Sequence, residues 1–268
     1  MLVSVQGESS VVTLSRKNIR FFKDNGYLIR RKVLDPDLMA RARDRLWDGA
    51  PPDIDRDDPE SWIGTLEKHP DYNNTRDGCY WCYREPGNED WMTRLLATDP
   101  SVWGMAEQLL GAGSLQTPAG IRGIYCIMPE GDVPKRPYGC HVDGHPFHLG
   151  VIGYIDRVGP NGGGFTVWPG SHKQVYYDFH SAHKMEPMEQ YQADCEQVNR
   201  QPYVDCHGGP GDIVFWHHRI GHSGGYNRSR QIRKAVLYEY RKKDLYRTQE
   251  QPPPEDMWRD WSDATKEA

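Results

Sequence analysis

The apolar positions of the first 110 residues repeat with helical spacing and are interrupted by one short strand. Ser15 can cap a first helix, which the Asn25-Gly26 pair ends. An apolar segment at 27–29 is typical of a short strand, and Asp35-Pro36 can begin a second helix. A third helical pattern covers residues 91–110, with a break where a proline follows Asp99. The pattern therefore predicts mostly helices ahead of residue 110.

Residues 50–90 interrupt this helical region with many Pro, Asp, Gly and Asn residues, which favour turns and loops. Aromatic side chains, including Trp62 and Trp81, lie within the same stretch. Two interpretations remain open: a functional lid or binding loop, or aromatics that close the edge of the core. Under the first interpretation, Trp62 and Trp81 are candidate substrate contacts.

After Gly113 the helical spacing gives way to short apolar segments separated by Gly, Pro and Asn, as in an antiparallel sandwich or barrel. These segments are 121–128, 141–143, 148–155, 164–168, 212–216 and 234–240. These segments do not alternate with helical patterns, so the sequence does not predict a parallel sheet. We expect one domain over residues 1–268, with a mainly β core at 115–245 behind the helices of 15–110. In the tail, 246–268, residues 257–261 are expected to pack as a short helix or to form a dimer contact.

Composition and charge exclude several classes of partner. The chain has 268 residues, with 33 Lys and Arg against 38 Asp and Glu, a net charge of −5, and no basic arm. We therefore expect no nucleic-acid partner. Residues 1–6 lack the features of a signal peptide, and no apolar run approaches the roughly 18 residues of a membrane span. A cytoplasmic monomer or homodimer without membrane contact is the expectation.

The six cysteines are expected to be reduced, because a chain of this length has no need of a disulfide framework. Cys79 and Cys82 have the C-x-x-C spacing of redox and zinc sites. No second C-x-x-C pair is present to complete a four-thiolate site. Two ordinary thiols are therefore the favoured interpretation.

The segment Cys140–His145 contains half of a metal site. His141 and Asp143 are two residues apart, a spacing at which an extended strand points both side chains to one face. A facial triad for non-haem Fe(II) requires a second histidine and leaves the other coordination positions open. His217, His218 and His222, which follow an apolar strand, are candidates for that second histidine.

Arg233 distinguishes His222 from the other two histidines. It lies 11 residues after His222 (233 − 222) and begins an apolar strand. An arginine beside a metal can bind a carboxylate bidentately, which a lysine cannot do with the same geometry. This arrangement suits a dicarboxylate cosubstrate that chelates iron at its other end.

In these residues the chain resembles the phytanoyl-CoA dioxygenase-like family of Fe(II)- and 2-oxoglutarate-dependent oxygenases. The resemblance extends from about residue 20 to residue 240. Its motifs are Phe22–Leu28, His141-Val-Asp143, Asn161–Lys173, and His222 with Asn227 and Arg233. It implies a double-stranded β-helix (jelly roll, cupin-like) that binds Fe(II), 2-oxoglutarate and O₂.

The resemblance also implies roles for individual residues. His141, Asp143 and His222 would hold the iron, and Arg233 would bind the distal carboxylate of 2-oxoglutarate. The family often has a serine two residues after the distal histidine, where this chain has Gly224, so Ser223 is the candidate hydroxyl. The strand at 121–128 usually lines the cosubstrate pocket, which makes the following residues further candidates: Arg122 and Ile124.

The expected activity is hydroxylation of a small or medium organic molecule, with release of succinate and CO₂. Asp143 argues against a halogenase, because related halogenases lack this carboxylate; desaturation, epoxidation and ring formation remain open. A non-catalytic ligand-binding jelly roll and a cupin-like metalloenzyme without 2-oxoglutarate are the alternatives. The aromatic side chains favour a substrate with an apolar or cationic surface. His145 and Phe147, close to Asp143, are further candidate substrate contacts, although a purely structural role for His145 is the alternative.

Overall fold

Two antiparallel sheets and a layer of helices form the protein, whose structure, a computed structural model, describes residues 12–131 and 139–268. The helices are α1 (Arg16–Asn25), α2 (Pro36–Leu46), α3 (Asp90–Leu95), α4 (Pro100–Leu110), α5 (Ser171–Val175), α6 (Tyr191–Asn199), α7 (Leu245–Thr248) and α8 (Asp263–Lys266). The strands are β1 (Tyr27–Arg30), β2 (Leu66–His69), β3 (Asn74–Gly78), β4 (Tyr80–Tyr83), β5 (Ile124–Ile127), β6 (Leu149–Tyr154), β7 (Phe165–Val167), β8 (Val204–Cys206), β9 (Ile213–His217), β10 (His222–Gly224) and β11 (Arg233–Tyr240).

The predicted helix boundaries are confirmed at residues 15, 26 and 36. The Ser15 hydroxyl accepts a hydrogen bond from the Asn18 backbone N–H, and the Asn18 side chain accepts one from the Ser15 N–H, which completes a capping box. Gly26 ends α1 in the left-handed region, at φ 78°. Asp35 caps α2 and Pro36 occupies its first turn.

The strands form the predicted jelly roll. The larger sheet has eight strands in the order β1-β9-β6-β11-β5-β4-β3-β2, and the smaller has the order β10-β7-β8. Every paired strand is antiparallel to its neighbours. A shared apolar cluster that includes Trp216 and Ile152 of the larger sheet and Phe165 and Val167 of the smaller fills the space between them. We call the face of the larger sheet that contacts this cluster the inner face.

Alternate residues of the central strands point to the opposite, outer face, where they pack against the helices. Val151, Phe215 and Val236 belong to one buried cluster with Phe22 of α1 and Leu46 of α2. The larger sheet is therefore the middle layer, with helices on its outer face and the smaller sheet on its inner face.

The segment at 50–90 differs from the predicted turns and loops, because three strands within it extend the larger sheet. Strands β2, β3 and β4 form consecutive antiparallel pairs, and β4 continues onto β5. The turn residues occupy the connections, while aromatic residues with high strand propensity form β4 itself. The turn signals therefore separated short strands rather than marking one long loop.

Two of the predicted elements, the strand at 141–143 and the helix at 257–261, are not formed. Residues 141–143 form no strand; His141 makes one isolated bridge to His222. Residues 257–261 form turns rather than a helix, and Trp258 and Trp261 pack against Phe22. The six cysteines form no disulfide, and none of the helices in the described ranges has the length and apolarity needed to cross a membrane. The prediction about residues 1–6 lies outside the described residues.

Candidate metal and cosubstrate site

Two histidines and one aspartate converge where β10 meets the segment that precedes β6. The His222 N–H donates to the His141 carbonyl at 2.9 Å, and the His141 N–H donates back to the His222 carbonyl at 3.2 Å. This exchange brings the two ring centroids to 4.6 Å, and Asp143 Oδ2 lies 3.4 Å from His222 Nε2. One ligand atom from each of the three side chains lies within 4.8 Å of the other two, so together they could hold a metal ion.

Backbone carbonyls set the tautomer of both histidines. His141 Nδ1 lies 3.0 Å from the Gly139 carbonyl, and His222 Nδ1 lies 3.0 Å from the Ile220 carbonyl. Because a carbonyl oxygen only accepts, each Nδ1 carries the proton and each Nε2 keeps a free lone pair. Burial lowers the pKa of His222, against the opposing charge of Asp143, which favours the neutral imidazole that binds metals. The donor set fits a two-histidine, one-carboxylate iron site.

The other two candidate histidines do not reach this site. His217 Nδ1 accepts a hydrogen bond from the Arg219 N–H, and its ring stacks on Trp261 at 5.2 Å. His218 Nε2 contacts the Ala182 carbonyl at 3.0 Å. The structure therefore selects His222 from the three histidines that compete in the sequence.

Arg233 is a buried cation with no anionic partner among the described residues. It begins β11 on the inner face, where Nε donates to the Gly163 carbonyl at 2.9 Å and Nη1 donates to the Tyr125 carbonyl at 3.0 Å. None of the described carboxylates lies within 4.0 Å of the guanidinium. Burial lowers the pKa of Arg233, which reflects the cost of an unpaired charge in this environment. A carboxylate ligand would relieve that cost, so the site fits 2-oxoglutarate.

Two predicted cosubstrate contacts are wrong in orientation. Ser223 lies between His222 and Gly224 on β10 and pairs with Thr166, so by alternation it faces away from the side that carries His222. Its hydroxyl donates to the neighbouring Gly224 carbonyl. Ile124 is fully buried on the outer face among the helices. On β5 the inner face instead carries Tyr125, which pairs with Ala235, and Ile127, which pairs with Arg233. Tyr125 and Ile127 were not among the predicted site residues.

Arg122 lies on the inner face but away from Arg233, in a charged cluster around Glu239. Arg122 Nη1 contacts Glu239 Oε1 at 2.5 Å, and His145 Nε2 lies 2.8 Å from Glu239 Oε2. Arg241 Nη2 lies 3.6 Å from the same oxygen. Burial raises the pKa of Glu239, but His145 and Arg122 outweigh it and lower the value overall. His145 is thus held beside the candidate metal site by a buried carboxylate.

The remaining candidate substrate contacts are core residues. Trp81 is fully buried on the outer face, and its indole N–H donates to Asn74 Oδ1 at 2.7 Å. Trp62 packs on Trp47 with centroids 6.0 Å apart. Phe147 is also fully buried, although its ring stacks with His145 at 5.2 Å. Trp62 and Trp81 therefore close the core edge, which was the second interpretation of the segment at 50–90.

Glu239 was not among the predicted site residues, although the sequence contains a signal for it. In the strand that begins at Arg233, every second residue shares one face; between Arg233 and Glu239 the other members of that row, Ala235 and Leu237, are apolar. Arg241 follows two residues later. The buried ion cluster could have been inferred from this alternation.

Comparisons with known proteins agree with this geometry. The family model described as Phytanoyl-CoA dioxygenase (PhyH) matches residues 22–235. The chain is similar in structure to the non-heme alpha ketoglutarate dependent carbocyclase SnoK from nogalamycin biosynthesis, at 22% identity and TM-score 0.59, over 94% of this chain and 98% of that one. It is also similar to EctD from S. alaskensis, solved with 2-oxoglutarate and 5-hydroxyectoine, at 18% identity and TM-score 0.57, over 89% of this chain and 80% of that one.

A third similar structure is the epimerase SnoN in complex with Fe3+, alpha ketoglutarate and nogalamycin RO, at 20% identity and TM-score 0.54, over 84% of this chain and 82% of that one. At such identities the likeness establishes the fold. No curated protein matches the sequence. Because the family model spans most of the chain, this protein belongs to the phytanoyl-CoA dioxygenase family of Fe(II)- and 2-oxoglutarate-dependent oxygenases.

Proposed function

We propose that this oxygenase hydroxylates a small or medium organic molecule, with conversion of 2-oxoglutarate to succinate and CO₂. His141, Asp143 and His222 would bind Fe(II), and Arg233 would bind the distal carboxylate of 2-oxoglutarate. The observation that carries the proposal is the convergence of these three ligand side chains in a jelly roll that also buries an unpaired arginine.

Iron and 2-oxoglutarate, when bound, supply the oxidising chemistry: one atom of O₂ enters the substrate and the other enters succinate. The protein residues bind and orient. The Gly139 and Ile220 carbonyls hold the two imidazoles with Nε2 free, and Asp143 would supply the third ligand. The presence of that carboxylate favours hydroxylation over halogenation. Phe165, 5.2 Å from the His222 ring, and Trp216, 6.0 Å from it, form an apolar wall that limits water beside the metal.

The cluster around Glu239 bears on the chemistry of the substrate. Arg122 and Arg241 share one carboxylate, so these three groups carry a net positive charge beside the metal site. The side chains of both arginines remain more than a third exposed. Trp62 and Trp81, which were among the aromatic residues that favoured an apolar or cationic substrate surface, lie in the core. We therefore propose a substrate with a carboxylate or another hydrogen-bond acceptor that faces these arginines.

Succinate formation tests the proposed function. We expect protein supplied with Fe(II), 2-oxoglutarate and O₂ to form succinate, with faster formation when a panel of small organic acids is added. His222→Ala should reduce the rate at least about 100-fold, because one of three metal ligands is lost. His180→Ala, at an exposed position, is the matched control and should retain the rate. Absence of Fe(II)-dependent succinate with every compound would favour a non-catalytic binding module.

A further inference from the structure

Tyr80 lies in line with Arg233 across three adjacent strands. On β4 it pairs with Ile127 of β5, and Ile127 pairs with Arg233 of β11. Residues directly opposite each other in antiparallel strands point to the same face. Tyr80, Ile127 and Arg233 therefore form one row on the inner face, with the tyrosine at the end that β4 adds to the sheet.

The phenol of Tyr80 extends from this row towards β10. A Cβ atom at Gly224 would lie 3.2 Å from Tyr80 Oη and 3.2 Å from Ile127 Cδ1. Gly224 is two residues after His222 on β10, so a side chain there would share the face of that metal-ligand candidate. The glycine leaves this space open, and the tyrosine hydroxyl occupies its edge.

The hydroxyl is available to a ligand. Tyr80 is 51% exposed, and its Oη makes no hydrogen bond to any residue in the described ranges. Burial raises the pKa of Tyr80 despite the charge of Arg233, so the hydroxyl keeps its proton at neutral pH and can donate it in a hydrogen bond. A donor beside an unpaired buried guanidinium suits an anionic group bound between them.

We propose that Tyr80 Oη donates a hydrogen bond to the distal carboxylate of 2-oxoglutarate held by Arg233. This inference rests on the proposed function and adds a binding residue to it. The hydroxyl that contacts 2-oxoglutarate would then come from β4, in the segment at 50–90, because Ser223 faces away from the site and residue 224 has no side chain. The strand that extends the sheet would thus contribute directly to the cosubstrate site.

Binding of 2-oxoglutarate to anaerobic Fe(II)-loaded protein, followed by calorimetry, tests the inference without turnover. Tyr80→Phe keeps the ring and removes the donor, so we expect the dissociation constant to rise about 10-fold, which corresponds to about 1.4 kcal/mol. Tyr72→Phe is the matched control: Tyr72 belongs to the same segment, is 75% exposed and contacts Arg84. It should bind 2-oxoglutarate as the wild type does.

A second variant pair tests the geometry. Gly224→Ser alone should weaken binding, because its side chain would meet Tyr80 Oη and Ile127 Cδ1. In Tyr80→Phe/Gly224→Ser, the crowding from the phenol oxygen is gone and the serine can donate from β10, so much of the lost affinity should return. Wild-type affinity in Tyr80→Phe would overturn the inference and leave the proposed function standing. If the wild type itself did not bind 2-oxoglutarate, the proposed function would fail, and this inference with it.

Discussion

Arg233 illustrates how a single buried side chain limits what can bind. Its Nε and Nη1 donate to backbone carbonyls, which fixes the guanidinium, while no described carboxylate balances its charge. A fixed planar fork binds a carboxylate through two parallel hydrogen bonds, whereas a lysine offers a compact point charge. The geometry of this residue, beyond its charge, should therefore determine affinity for 2-oxoglutarate.

Arg233→Lys should raise the dissociation constant for 2-oxoglutarate at least about 10-fold while Fe(II) affinity stays close to that of the wild type, because the metal ligands are unchanged. Calorimetric titration of Fe(II) and then 2-oxoglutarate measures both constants. Arg228→Lys, at an exposed position, serves as the control. Equal 2-oxoglutarate affinity in Arg233→Lys and wild type would argue that the cosubstrate binds elsewhere.

For individual residues, the sequence predicted which side chains meet at the candidate site better than it predicted the sheet face to which each side chain points. The two-residue spacing of His141 and Asp143 and the distance from His222 to Arg233 pointed to one site. Residues 122 and 124 would share one face of a regular strand, but Gly123 at φ 88° breaks the strand conformation between them. Arg122 therefore reaches Glu239, while Ile124 faces the helices.

At the scale of elements, strands β2 to β4 changed the interpretation of the segment at 50–90. Turn residues are visible in a sequence, but short strands between them become stable only when an existing sheet edge accepts them, here β5. Helices α1 and α2, by contrast, were predictable because their caps are local to the chain. What depended on distant pairing was therefore harder to predict than what depended on neighbouring residues.

Trp81→Ala tests whether β4 anchors the core through its outer face. Trp81 is fully buried against the helical layer, so its truncation should lower the free energy of unfolding by about 3–5 kcal/mol. Denaturant unfolding measures the change, with Tyr246→Ala, 64% exposed, as a control that should cost little. Wild-type stability together with lost substrate turnover would instead place Trp81 in the substrate site.

At the scale of the whole molecule, buried neutral histidines make stability depend on pH. Burial lowers the pKa of His172 to about 3 and of His183 to about 4, and lowers the pKa of His148, His217 and His218 in the same direction. The unfolded chain binds these protons near pH 6.5, whereas the folded chain does not. The stability that these groups contribute is therefore complete above pH 6.5 and decreases as pH falls towards 4.

We expect the free energy of unfolding, measured in chelator-treated protein, to fall steadily from pH 7 to pH 5. Each neutral buried histidine adds up to about 1.4 kcal/mol per pH unit to the slope. His183→Gln removes one such group and should reduce the slope by that amount, whereas His180→Gln, at an exposed position, should leave it unchanged. A slope in His183→Gln equal to that of the wild type would show that His183 already binds a proton in the folded protein.

We propose that one face of this jelly roll holds iron and 2-oxoglutarate together. An anaerobic crystal structure of the protein with Fe(II) and 2-oxoglutarate would locate both ligands. We predict iron bound by Nε2 of His141, Nε2 of His222 and a carboxylate oxygen of Asp143, with the distal carboxylate of 2-oxoglutarate on Arg233. Iron held by other side chains, or 2-oxoglutarate bound away from Arg233, would show that these residues do not form the metal and cosubstrate site.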